Sequence, residues 1–185
     1  MFLDVAFGIW SGLLVPQWFS IEPSYWWVFL GVCFGLLPDI DLVLVRFFPR
    51  ESVVGRIVDG HHGLTHYPML WLAVGAFSWV FLGPFFATLF LLPAIFHVVH
   101  DTFFLGWGIR WFWPFSMRSY KFFPDKNGRI MGRVFWSWVP EEESVIRKDW
   151  GTRDWVRVFY LRSSLISWIE YPIFVYTLWV LLTTR

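Results

Sequence analysis

The chain has 185 residues, of which 57% are hydrophobic, 23% aromatic and only 16% charged, with a formal net charge of +1. That apolar content excludes intrinsic disorder, the single cysteine excludes a disulfide scaffold, and no nucleic-acid partner is expected of a chain with so little excess Lys and Arg. Against a soluble average of about 45–50% apolar and about 25% charged residues, the composition is that of a small integral membrane protein with room for one domain.

In chain order, the uncharged run Val5–Ile21 lies between Asp4 and Glu22, and Pro23–Pro38 is again uncharged before Asp39-Ile40-Asp41. Tyr67–Phe96 is thirty residues without a charge or a histidine. Gly83-Pro84 divides it, because Pro lacks a donor and Gly is flexible, so two helices are predicted, over about Pro68–Leu82 and Pro84–Phe104. A last apolar segment, Ser163–Leu182, contains one acid, Glu170. A spanning helix takes about 17–25 residues, which makes the first three segments short. Asp4 stands where a removable signal peptide would carry Lys or Arg.

All but one of the fifteen basic residues fall in two places: Arg46, Arg50 and Arg56 between the second and third segments, and the stretch Arg110–Arg162 between the fourth and fifth. Basic loops stay cytoplasmic, so the sequence predicts a cytoplasmic amino terminus, five crossings and an outside carboxyl terminus. The fold class expected is an all-α integral membrane protein, one membrane-embedded domain over residues 1–185 with a cytoplasmic interfacial insertion at 110–162. Within that insertion, Asp125-Lys126-Asn127-Gly128 predicts a hairpin, and Pro140 followed by Glu141, Glu142 and Glu143 predicts a helix start. Trp150, Arg153, Trp155 and Arg157 suit the headgroup region. The insertion is either a solvated loop or an interfacial lid over a site.

Polar residues concentrate in three strings. These are Gly35-Leu36-Leu37-Pro38-Asp39-Ile40-Asp41, then Gly60-His61-His62-Gly63-Leu64-Thr65-His66, then Phe96-His97-Val98-Val99-His100-Asp101. The charge-derived orientation brings all three to the cytoplasmic face, although none of these residues was needed to derive it. His97 and Asp101, four apart, project from one face of a helix, and Asp39 and Asp41, just beyond a Pro, are expected to splay as non-helical ligands. Imidazole with carboxylate suits zinc, iron or manganese. Asp39, Asp41, His61, His66, His97 and Asp101 exceed the three protein ligands of one catalytic zinc, which points to two or more divalent ions, zinc first among them. The alternative is a capping Asp at 39 or 41 and histidines at headgroup level. Glu170 either reaches the same layer or turns to the headgroups. His62 and His100 are candidates for orienting the ligands.

The ordered set Leu37-Pro38-Asp39-Ile40-Asp41, His61-His62-Gly63-Leu64-Thr65-His66-Tyr67, His97 through Asp101, and Trp113-Pro114-Phe115 resembles the YdjM-like family. Its members are described as LexA-binding, inner-membrane-associated, metal-dependent hydrolases. The resemblance spans about Gly35–Ser116. It implies an inner-membrane location and an acid with a role at the start of the last apolar segment, here Glu170. The family pattern has Arg, Ser and Thr where this chain has His62, Tyr67 and Phe104, so an anionic substrate group contacted by that Arg would here meet His62. The family in turn looks distantly similar to the zinc-dependent phospholipase C and single-strand nuclease group of helical enzymes, an analogy that does not itself give function.

The function expected is therefore a membrane-embedded metal-dependent hydrolase at the cytoplasmic interface, using metal-activated water on a phosphoester or lipid-linked substrate. Asp41, His62 and Glu170 are its candidate catalytic residues, with Asp41 as general base, and membrane lipid is its expected partner. Two readings compete with it. One is a non-catalytic scaffold recruiting a cytosolic partner through Arg110–Arg162, in keeping with the family's association with a DNA-damage repressor. The other is a di-iron membrane oxidase, which resembles sites with eight or more histidines where this chain has five.

Overall fold

Prolines and one glycine set the helix boundaries. The computed structural model describes residues 1–47, 63–103, 108–123, 125–126, 129–130, 132–150, 157–161 and 164–183. Helix α1 runs Phe2–Trp18 and α2 runs Tyr25–Leu36, opened by Ser24, whose hydroxyl accepts from the Trp27 N–H. Pro38 cannot continue the hydrogen-bond ladder of α2, and a 3-10 turn, Leu37–Asp39, leads into the short helix α3, Ile40–Phe47. After a second 3-10 turn, Leu64–His66, helix α4 occupies Pro68–Leu82 and helix α5 Pro84–Thr102. Each of these two starts on a Pro, whose missing donor costs nothing in the first turn. Between them Gly83 takes φ 87°, a backbone region that suits glycine. Helix α7, Leu165–Thr183, closes the chain.

Each predicted apolar run is thus a helix. Among the described residues, α5 and α7 are long and apolar enough to cross a membrane, whereas α1, α2 and α4 have 17, 12 and 15 residues.

An all-α fold with one hairpin-type turn was expected, and residues 110–162 correct this with two pairs of strands. Strand β1, Ser119–Phe122, pairs antiparallel with β4, Phe135–Trp138, and β2, Asp125–Lys126, pairs with β3, Arg129–Ile130. The cause is local composition: Tyr120 and Phe122 alternate with Ser119 and Lys121, and Trp and Phe fill β4, which suits a half-buried pleated surface better than a helix. The β2–β3 pair is the hairpin expected there, its linking residues Asn127 and Gly128 lying outside the described residues. The helix start also appears where expected, as α6, Pro140–Trp150, with the Val139 N–H donating to Glu142 Oε2 at 3.1 Å. Phe103 bridges to Phe122, and Trp111 Nε1 donates to Thr102 Oγ1 at 3.0 Å, so this segment folds back over the carboxyl-terminal end of α5.

Helix α5 is the axis of the bundle. Ala87, Leu89, Ala94 and Val98 are completely buried, with Trp71 of α4 and Phe34 of α2 packed against it. Helices α1 and α2 run antiparallel in very close contact, as membrane helices do where small residues face each other. A Cβ on Gly8 would lie 2.7 Å from the Gly31 carbonyl oxygen, and one on Gly31 would strike the Gly8 carbonyl oxygen. Further along the same seam, Gly35 comes against the backbone of Asp4. Gly31→Leu is therefore expected to cost at least about 1–3 kcal/mol through backbone displacement, seen as a lower melting temperature in detergent. Cys33→Leu, on the exposed face of the same helix, should change little. Equal melting of the two variants would contradict the close seam.

Candidate metal centre

The described residues of the three polar strings converge at one end of the bundle. Asp39 ends the 3-10 turn that Pro38 forces, His66 ends the turn just before Pro68, and His97 and Asp101 lie one turn apart near the end of α5. One ligand atom from each of Asp39, His66, His97 and Asp101 lies within 4.8 Å of all the others. His66 Nε2 is 3.3 Å from Asp101 Oδ2 and 3.6 Å from Asp39 Oδ1. His97 Nε2 is 3.4 Å from Asp101 Oδ2 and 3.5 Å from Asp39 Oδ1. A tetrahedral zinc with bonds of about 2.0–2.1 Å has ligand–ligand edges of about 3.3–3.4 Å. Four of the six edges of such a tetrahedron are thus already in place.

The hydrogen bonding of His97 strengthens the fit. Its Nδ1 is 2.7 Å from the Gly35 carbonyl oxygen, which can only accept, so Nδ1 carries the proton. In the neutral ring Nε2 is then a lone pair, buried and without a hydrogen bond, facing two carboxylates. A lone pair against carboxylates is repulsive, and a cation among them makes it favourable. Metal-bound histidines are held this way, with the far N–H on a carbonyl or carboxylate. His66 is arranged alike: Asp41 Oδ2 and Thr65 Oγ1 both approach its Nδ1 at 3.3 Å, on the side away from the four-atom group. The site is closed around the imidazoles, which are 0% and 1% exposed, and opens at Asp39, whose side chain is 24% exposed.

A family model matches the chain over residues 3–183, that of the YdjM inner membrane protein. The chain belongs to that family. No curated protein and no solved structure matches it. Membership agrees with the apolar helices, and a His/Asp cluster able to hold a metal ion is now located inside an inner membrane protein of the YdjM family.

The structure sorts the residues singled out by sequence. Asp39, His66, His97 and Asp101 come together, while Asp41 is fully buried beside them, behind His66. Asp41 belongs to the first turn of α3 and Asp39 to the 3-10 turn, so neither is in the irregular backbone expected of them. His61 and His62 lie outside the described residues. Glu170 is buried in the bundle, not turned to the headgroups, and its Oε1 is 3.3 Å from His100 Nε2, in a neighbouring polar cluster.

Sequence reasoning missed Asp4, Tyr160 and Arg110. Asp4 is 1% exposed and contacts His100, His97 and the Met1 amino group. An acid inside an apolar helix is costly, and that signal was legible. Arg110 donates to the Tyr67 hydroxyl at 3.0 Å and to Glu143 at 2.7 Å, tying the returning segment to the residue after His66.

Burial alone would make the His66 imidazole harder to protonate. Without metal, the adjacent carboxylates of Asp101, Asp39 and Asp41 outweigh burial and push its pKa up to about 10. A raised pKa gives stability that is fully present below the ordinary histidine value of about 6.5 and is lost as pH rises towards 10. A metal must displace that proton, so metal affinity rises over the same range. With chelator present, the melting temperature of the wild type should fall between pH 7 and 10 more steeply than that of His66→Gln. Parallel curves for the two proteins would contradict the pairing.

Proposed function

We propose that this protein is a membrane-embedded, metal-dependent hydrolase that cleaves a phosphoester, lipid-linked or in a lipid headgroup, at the cytoplasmic face of the inner membrane. The observation that carries this reading is the spacing of two imidazole nitrogens and two carboxylate oxygens at 3.3–3.6 Å around one point. A divalent ion there, zinc in the first instance, would acidify water into a nucleophile at neutral pH once water joins or replaces one of the four protein ligands, for which the exposed Asp39 side leaves room. Asp39, His66, His97 and Asp101 would hold it.

The surrounding residues divide the remaining work. Gly35 and Asp41 hold the far nitrogens of His97 and His66, fixing both ring planes. Asp41 faces the outer nitrogen of His66, which suits it to orient that ring better than to act as the general base. Asp39, the ligand at the exposed side of the group, is the one placed to meet substrate. A site at the ends of apolar helices, under a segment rich in Trp, Phe and Arg, lies at headgroup depth, where a phosphoester of a lipid is presented. The five apolar helices, with the metal group at the end of α2, the start of α4 and the end of α5, are consistent with alternating crossings and a cytoplasmic amino terminus.

The test is hydrolysis of a phosphodiester substrate and of phospholipid vesicles by the purified protein, with and without zinc. Activity should require the metal and fall by at least about 10²-fold in His97→Ala, a loss on the scale of removing a catalytic element. Metal-independent or absent hydrolysis by a folded, metal-loaded protein would contradict this reading and favour the scaffold that recruits a cytosolic partner.

A further inference from the structure

A second cluster of buried polar side chains adjoins the metal group and serves no part of the chemistry above. Asp4 from α1, His100 from α5 and Glu170 from α7 meet inside the bundle, with exposures of 1%, 9% and 2% for their side chains. Asp4 Oδ1 is 2.9 Å from His100 Nδ1 and 3.7 Å from His97 Nδ1, so a single carboxylate oxygen stands between the two histidines. On the far side of His100, its Nε2 is 3.3 Å from Glu170 Oε1. Glu170 is itself held by the Leu3 N–H at 3.2 Å and by the Tyr160 hydroxyl at 3.3 Å. The Met1 amino group also approaches Asp4 Oδ2 and Glu170 Oε2, at 2.7 Å and 3.6 Å.

We propose that Asp4, His100 and Glu170 form a positioning network for His97, which holds the Nδ1–H side of that ring so that Nε2 is presented to the metal group. This rests on the metal-centre reading above. The carbonyl of Gly35 fixes which nitrogen of His97 is protonated. The Asp4 carboxylate, on the same side of the ring, adds negative charge that makes Nε2 a stronger donor to a cation, as carboxylates behind metal-bound histidines do. Asp4 can stay there only if its own position is fixed, because an ionised carboxylate among apolar helices is costly unless paired. His100 supplies that pairing. Its two nitrogens each face a carboxylate, so it bridges Asp4 to Glu170 and thereby links α7 to the metal group.

The competing explanation is that these ion pairs only weld α7 to the bundle. The structure offers a control for it. Trp10 Nε1 donates to Thr177 Oγ1 at 3.0 Å, a part-buried hydrogen bond that joins α1 and α7 away from the network. Thr177→Val loosens the same helix contact and leaves Asp4, His100 and Glu170 untouched.

The experiment is titration of the full chain, purified in detergent, with cobalt(II), reading affinity and the visible ligand-field bands. Asp4→Asn and Glu170→Gln are expected to weaken cobalt binding by about 10–100-fold and to alter the bands, while Thr177→Val binds as the wild type does. Unchanged affinity in folded Asp4→Asn and Glu170→Gln overturns the proposal and leaves the metal centre standing. An equal loss in Thr177→Val overturns it in favour of the weld. If Asp4→Asn does not fold, Glu170→Gln decides. A wild type that binds no cobalt removes the metal centre and this network's role together.

Discussion

Two imidazoles and two carboxylates share one small volume at the end of an apolar helix bundle, and the rest of the molecule depends on keeping them there. Each ionised carboxylate removed from water is unfavourable by several kcal/mol unless it is paired. The bundle meets that demand with fixed geometry. Pro38 and Pro68 stop and start helices so that Asp39 and His66 fall at the same level as His97 and Asp101. The glycine seam between α1 and α2 brings the Gly35 carbonyl to His97 and the Asp4 carboxylate close beside it. Loosening that seam would displace a metal ligand as well as a helix.

From this arrangement the functional argument follows in order. A pair of histidines whose outer nitrogens are occupied by a carbonyl and a carboxylate turns its inner nitrogens on two further carboxylates. Such a ring favours a divalent cation over empty space, and among its four residues Asp39 is the most exposed. An aromatic and basic segment folds back over the end of α5, and under the proposed function it would bring this exposed side to the lipid headgroups. Membership of an inner membrane family agrees with that reading.

Much of this was legible in the sequence because the signals were local. Gly83-Pro84 could only separate two helices, and His97 and Asp101 at four-residue spacing had to share a face. Charge asymmetry led to the expectation of three polar strings at one depth without reference to their chemistry, and one or more residues from each of the three do meet. What escaped was direction about each helix axis. Asp39 and Asp41 are two apart across a junction between a 3-10 turn and an α-helix, so one joins the metal group and the other stands behind His66; spacing alone treats them alike. Asp4 was read as a flank of the first apolar run, because its histidine partners are 93 and 96 residues away in His97 and His100. The hairpin at Asp125–Gly128 was legible in its turn residues, but the longer-range pairing of β1 with β4 was hidden by the helical expectation that the rest of the chain sets.

The central claim is that this group of four residues holds a metal ion, and elemental analysis of the detergent-purified protein tests it most directly. The account predicts at least one equivalent of a divalent ion per folded chain, zinc foremost, falling to background when Asp39 and His97 are both replaced by Ala. A folded wild type that retains no divalent metal, and takes none up on dialysis against zinc, would contradict it.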